Sequence, residues 1–193
     1  MPEPNKDKII TVLSHQRFDE KMEEMGVNDS NVETFEDYAF ISIIGTDECL
    51  KWYLHEEDTK HWFKEEHDNV LNLEFDDLEN DIEYFGHTFK AMSEEQAEKT
   101  FHFIERNLGR NFIIHCRAGM SRSQGVAFFI KDTYNDWFKE EQPSMNRDFA
   151  NKGVIRKLNK LIWNISFNQD EYNKIVEESN KRAIDKLVQE NIA

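Results

Sequence analysis

The chain has 193 residues, enough for one domain with a sizeable core. A formal net charge of −15 argues against a general nucleic-acid binder or a protein drawn to anionic membranes, and two cysteines, Cys49 and Cys116, are too few for a disulfide framework. No apolar stretch approaches the length of a membrane span, and Met1 to Lys6 lacks the apolar core of a secretion signal, so a soluble protein of the reducing cytoplasm is expected.

Taken in order, residues 1–7 form a polar lead-in. The β-branched run Lys8 to Leu13 predicts a first strand. Ser14 can cap a helix over 15–25, with Phe18, Met22 and Met25 on one face. Residues 26–34 read as a polar connection, and Tyr38 to Ile44 as a buried strand. Between 45 and 69 aromatic and charged residues mix, and Leu50 to His55 fits a short helix or a strand. The histidines His55, His61, His67 and His87 lack compact ligand spacing, so no metal site is expected. Val70 to Phe75 alternates as a third strand. Ser93 begins a helix to Arg106, with Gln96 or Glu95 placed for a capping box and Ala97, Phe101, Ile104 and Leu108 as its apolar stripe. Asn111 to His115 predicts a fourth strand, 122–138 a helix, 151–165 another, and 170–190 an extra carboxyl-terminal helix capped by Asp170. Strands alternating with helices predict a single α/β domain over 1–193. Its central, mainly parallel sheet of four to five strands is flanked by helices, with ligands at the strands' carboxyl ends.

The chemistry concentrates between the fourth strand and the next helix. The nonapeptide His115-Cys116-Arg117-Ala118-Gly119-Met120-Ser121-Arg122-Ser123 fills that turn. A loop wrapped around a helix N-terminus aims backbone N–H groups at one spot and makes an anion site. Gly119 permits a conformation that a side chain opposes. Arg122 offers a planar fork to two phosphate oxygens. The same positive field lowers the thiol pKa of Cys116. A nucleophile inside a phosphate cradle implies phosphoryl transfer to sulfur. The charge distribution agrees: residues 101–131 carry five Lys/Arg against one acid, Glu105, whereas 74–98 carry nine acids against Lys90.

This nonapeptide resembles the signature of cysteine-dependent protein tyrosine phosphatases, and its Ala-Gly-x-Ser-Arg-Ser form is most similar to the dual-specificity branch. The resemblance implies a phosphatase-like fold acting on phosphotyrosine, with phosphoserine and phosphothreonine also within its range. It implies a cysteinyl-phosphate on Cys116 and Arg122 on the equatorial oxygens. The backbone of Arg117, Ala118, Gly119, Met120, Ser121 and Arg122 would complete the cradle. By the same resemblance His115 orders the loop and tunes the thiolate, Ser123 assists loss of the thiolate, and Ser121 holds the loop. No metal or cofactor is implied. The partner is a phosphorylated protein or peptide, with no nucleic acid and no membrane, and the oligomeric state stays open.

The family's general acid is an Asp on a separate loop. Leu73-Glu74-Phe75-Asp76-Asp77 is similar to the family's pattern and makes Asp77 the first candidate, Asp76 the second and Asp81 the third. Asp77 lies 39 residues ahead of Cys116, a long interval for compact members, so 78–96 reads as an insertion that could serve as a lid. Asn151-Lys152-Gly153-Val154-Ile155-Arg156-Lys157-Leu158 resembles a stretch whose Asn braces the phosphate loop, although Ala150 and Lys157 depart from it. A helix N-cap is an equal reading of Asn151. Cys49 is either an oxidation partner of Cys116 or an inert thiol. Two rival functions remain: a catalytically silent module that captures phosphoproteins, and a phosphatase for a non-protein phosphoester.

Overall fold

The computed structural model describes residue 4, residues 6–46 and residues 60–166, with side chains as far as Trp163. Cys49, the segment Leu50 to His55 and the expected helix over 170–190 lie outside the described residues. The chain divides into two units, Met1–Leu158 and Asn159–Ala193. The sheet and the site belong to the first.

Four parallel strands form the sheet: β1 (Ile10–Ser14), β2 (Tyr38–Ile44), β3 (Val70–Glu74) and β6 (Asn111–Cys116), in the order β1-β6-β2-β3. The expected α/β class and parallel sheet are therefore present. The helices are α1 (His15–Met25), α2 (Glu94–Arg106), α3 (Arg122–Thr133) and α4 (Lys152–Ser166). Among the described residues no helix is long and apolar enough to cross a membrane.

Burial explains the order. The central strand β2 buries Ala39 to Ile44, so both of its faces are covered. On one face Phe40, Val70 and Ile113 pack with Phe18 and Met22 of α1 and with Val27, Val32 and Phe63. Each such large apolar side chain contributes about 1.5–3 kcal/mol on burial. The outer edge of β1 needs other partners. Gln142 accepts from the Ile10 N–H and Ser144 from the Val12 N–H, at 2.8 and 2.9 Å, so side chains stand in for a fifth strand.

The helix expected over 122–138 stops at Thr133. Beyond Tyr134 the chain turns and runs beside residues 6–8, where Lys8 donates to Trp137 O and Lys139 to Lys8 O. Phe138 is buried there against Phe112, with ring centroids 6.0 Å apart. This apolar contact and the strand-like pairing replace the last helical turn. Residues 78–96 hold a hairpin, β4 (Ile82–Tyr84) with β5 (His87–Phe89), that the sequence reading did not anticipate. Its two turn residues, Phe85 and Gly86, have φ of 48° and 78°, the left-handed pair of a tight hairpin turn.

Ser93 caps α2 as expected: its hydroxyl accepts from the Gln96 N–H and the Gln96 side chain accepts from the Ser93 N–H. Gln96 also donates to Glu74 O at 2.7 Å, which ties the helix start to the end of β3. Ser93→Ala is expected to lower unfolding free energy by about 1 kcal/mol in urea titration, with the unfolding slope unchanged.

Candidate active site

β6 ends at Cys116, in register with Ser14 at the end of β1. Residues 117–121 form a loop that enters α3 at Arg122. Three of the loop's carbonyls are taken by neighbouring elements. Arg117 O accepts from His15 N (3.0 Å), Gly119 O from Gln124 Nε2 (3.2 Å), and Ser121 O from Gly125 N (2.9 Å) and Asn151 N (3.1 Å). Gly119 has φ +69°, and a Cβ there would stand 2.6 Å from Leu13 C and 2.7 Å from Ser14 N. Only glycine fits between the loop and the end of β1.

The Cys116 thiol is 2 % exposed and lies 3.0 Å from Ser123 Oγ. Burial pushes its pKa up, but the Ser123 hydroxyl and N–H, the Arg122 charge and the Ser121 N–H outweigh that and hold it below its ordinary value. Arg122 is buried. Its Nη1 donates to Phe75 O at 2.6 Å, while Nε has no hydrogen-bond partner among the described residues. A buried donor of that kind favours an acceptor from outside the chain. The side chains of Arg117, Ala118 and Met120 are exposed around the loop.

His115 is fully buried in the strand ahead of the thiol. Its Nε2 is 2.7 Å from Ser42 Oγ, and Ser42 Oγ is 2.7 Å from His61 Nδ1. Burial above all, with neighbouring His15, holds the His61 pKa down at about 4. Burial above all, with His15 and His61 adding to it, holds His115 well below 6.5.

The three candidate acids separate clearly. Asp77 is exposed, and its Oδ1 accepts from Ser121 Oγ (2.6 Å) and Asn151 Nδ2 (2.8 Å), so it touches the loop. That contact explains why Ser121, at the N-cap of α3, caps no N–H of its own helix. Asp76 is 2 % exposed and takes Thr46 N, Thr46 Oγ1 and Lys90 N, while its own N–H donates to Lys90 O. It is a clamp between the β2 and β3 ends and the hairpin, not a free acid. Asp81 accepts from Ala91 N on the other side of the hairpin. Asn151 combines both of its expected roles: Oδ1 accepts from Val154 N at the start of α4, and Nδ2 holds Asp77. Gly153 lets that first turn close in, since a Cβ there would stand 2.6 Å from Glu79 Cα.

Ser42 and Gln124 escaped the sequence reading, and His61 entered it only as a histidine without ligand spacing. Ser42 had a signal, as the lone serine in an apolar strand. Gln124 is a buried amide that also joins Ser144 O and Asn146 N to the loop. Among the described residues no group of three His, Cys, Asp or Glu is placed to hold a metal ion.

No protein-family model matches the chain, and no curated protein does. Among solved structures, the human tyrosine phosphatase-like serine/threonine/tyrosine-interacting protein is similar over 72% of this chain and 87% of its own. The identity is 16% and the TM-score 0.38. The functional reading therefore rests on the residues of this chain.

Two outcomes follow from the geometry. Gly119→Ala is expected to abolish protection of Cys116 from iodoacetamide by orthovanadate, because the clash with Leu13 displaces the loop; circular dichroism checks that the sheet persists. The histidines set the acid limb of stability. In the unfolded chain both titrate near 6.5, whereas folded His61 stays neutral to about 4 and His115 is also depressed. The unfolded state then binds more protons, so stability falls as pH drops from 6.5 toward 4, by up to about 1.4 kcal/mol per pH unit from His61, with His115 acting in the same direction. Urea unfolding between pH 6.5 and 4.5 should show this slope, and His61→Asn should flatten it.

Proposed function

We propose that this chain is a cysteine-dependent phosphatase of phosphorylated proteins or peptides, with phosphotyrosine as the first substrate and phosphoserine or phosphothreonine open to the same chemistry. The reading belongs to the dual-specificity branch that the nonapeptide resembles. The observation that carries it is the pairing, at the two ends of one loop, of the buried Cys116 thiol with a buried arginine whose Nε has no hydrogen-bond partner among the described residues.

The steps use the groups as they stand. Cys116 Sγ attacks phosphorus while the bond from phosphorus to the leaving oxygen breaks. Arg122 and the loop N–H groups take the charge on the equatorial oxygens. Asp77 gives its proton to the leaving oxygen; with Oδ1 already accepting two hydrogen bonds, Oδ2 is the atom that carries it. A water then attacks the cysteinyl-phosphate and passes its proton to Asp77. The sulfur leaves as thiolate, stabilised by the Ser123 hydroxyl 3.0 Å away. His115, buried behind Cys116, holds the loop strand. This chemistry needs no metal, and a reducing compartment such as the cytoplasm keeps the thiol available.

One observation favours a second reading. Asp77 is tied to Ser121 and Asn151, and a carboxyl that stayed there could leave the departing oxygen without its proton. The chain would then capture phosphoproteins without turnover.

Phosphate release from a phosphotyrosine peptide and from a small aryl phosphate, under reducing conditions, separates these. Cys116→Ser is expected to abolish both activities. Asp77→Asn should cost about 10²–10⁴-fold on the peptide and less on an activated aryl ester. Peptide binding with no phosphate release by the unmutated protein would overturn the enzyme reading in favour of capture.

A further inference from the structure

The hydroxyl of Ser42 lies between two imidazoles, 2.7 Å from His115 Nε2 and 2.7 Å from His61 Nδ1. Strand register puts it there, since Ser42 is paired with His115 across β2 and β6 and both side chains share one face. A hydroxyl has one proton, so between two neutral rings it donates to one and accepts from the other. The proton position on one ring therefore decides the proton position on its partner.

The ends of this three-group chain differ. His115 directly precedes Cys116 in β6, and its Nδ1 has no hydrogen-bond partner among the described residues. His61 lies at the half-buried end, its Nε2 3.9 Å from Glu74 Oε1. Other groups face the cluster without joining it. From α1, the His15 ring is 5.1 Å from that of His115 and its Nε2 is 3.5 Å from Asp19, and Phe18 stacks on His115 at 4.1 Å. Arg122 lies on the side of α3. The rings and the hydroxyl thus have little freedom to find other partners, and Ser42 and His115 are both fully buried.

We infer that Ser42 and His61 are positioning residues for the Cys116 thiol: the Ser42 hydroxyl links His61 Nδ1 to His115 Nε2, and that link fixes which nitrogen of His115, one residue before Cys116, carries the proton. This inference rests on the proposed role of Cys116 as a thiolate nucleophile. Without the link, His115 Nε2 becomes a buried nitrogen with no partner, its tautomer is no longer dictated, and the field at the sulfur changes. Neither Ser42 nor His61 needs to touch substrate.

The test reads the thiol and not turnover. The pH dependence of Cys116 alkylation by iodoacetamide gives its titration midpoint in the full chain, for the unmutated protein, Ser42→Ala, His61→Phe and His61→Asn. The Asn amide can occupy the place of Nδ1, whereas Phe offers no hydrogen-bonding atom. Ser42→Ala and His61→Phe are expected to raise the midpoint by about half a pH unit or more, and His61→Asn to return it toward the unmutated value. Thermal melting confirms that each variant is folded; Ser42→Ala removes only an oxygen and keeps the test available if His61→Phe does not fold. Equal midpoints in the unmutated protein and Ser42→Ala would overturn the inference, as would a His61→Asn midpoint as high as that of His61→Phe. An unmutated midpoint at the ordinary thiol value, about 8.5, would instead remove the nucleophile reading itself, so the two failures are distinguishable.

Discussion

A loop that turns N–H groups toward an anion must send its carbonyls the other way, and buried carbonyls need donors. That constraint organises the molecule around residues 117–121. Arg117 O is met by the first N–H of α1, Gly119 O by a side chain of α3, and Ser121 O by the backbone before α4. Three separate stretches of chain converge on one five-residue loop. The thiol gains most from this. Burial by itself would raise its pKa, and the N–H groups and hydroxyl that the loop presents reverse the sign.

The acid side of the site uses the same economy of neighbouring residues with opposite fates. Asp76 and Asp77 are adjacent, so their side chains leave the strand end in different directions. Asp76 goes inward and joins Thr46 to Lys90, and Asp77 goes outward and meets Ser121 and Asn151. The inward carboxylate holds the chain where it leaves the hairpin, at Lys90. The outward one then has a defined place at the loop, helped by Gly153, which lets the first turn of α4 stand against Glu79.

Polar groups buried in an apolar sheet carry a cost unless each finds a partner. The line of His115, Ser42 and His61 meets that demand at the Ser42 hydroxyl and at one nitrogen of each ring, across β6 and β2 and out to the half-buried rim. Gln124 does the same on the other side of the loop, with its amide shared among Gly119, Ser144 and Asn146. The segment 142–146 thereby serves two ends: it covers the open edge of β1 and braces residues 117–121 through Gln124.

Much of this was readable from local order. Alternation and β-branching located the strands, Ser14 and Ser93 marked the helix starts, and the nonapeptide placed Cys116, Gly119, Arg122 and Ser123 within a few residues of one another. Such features are set by nearest neighbours along the chain, which is why sequence carries them. The hairpin over 82–89, the early end of α3 and the pairing of residues 6–8 beside 137–139 were not readable, because exposed alternation over three residues is too short to see and Phe138 is drawn out of its helix by a contact with distant Phe112. Only tertiary structure decided which of two adjacent aspartates meets the loop, and that Ser42 and His61 stand behind His115. Those outcomes depend on strand register and on the order β1-β6-β2-β3, which bring together groups 73 and 19 residues apart in sequence. The chain by itself determined that Cys116, Gly119 and Arg122 stand together, since they are close neighbours in sequence around one loop. The surroundings that tune the thiol came from packing, because burial and hydrogen-bond partners are properties of the assembled sheet.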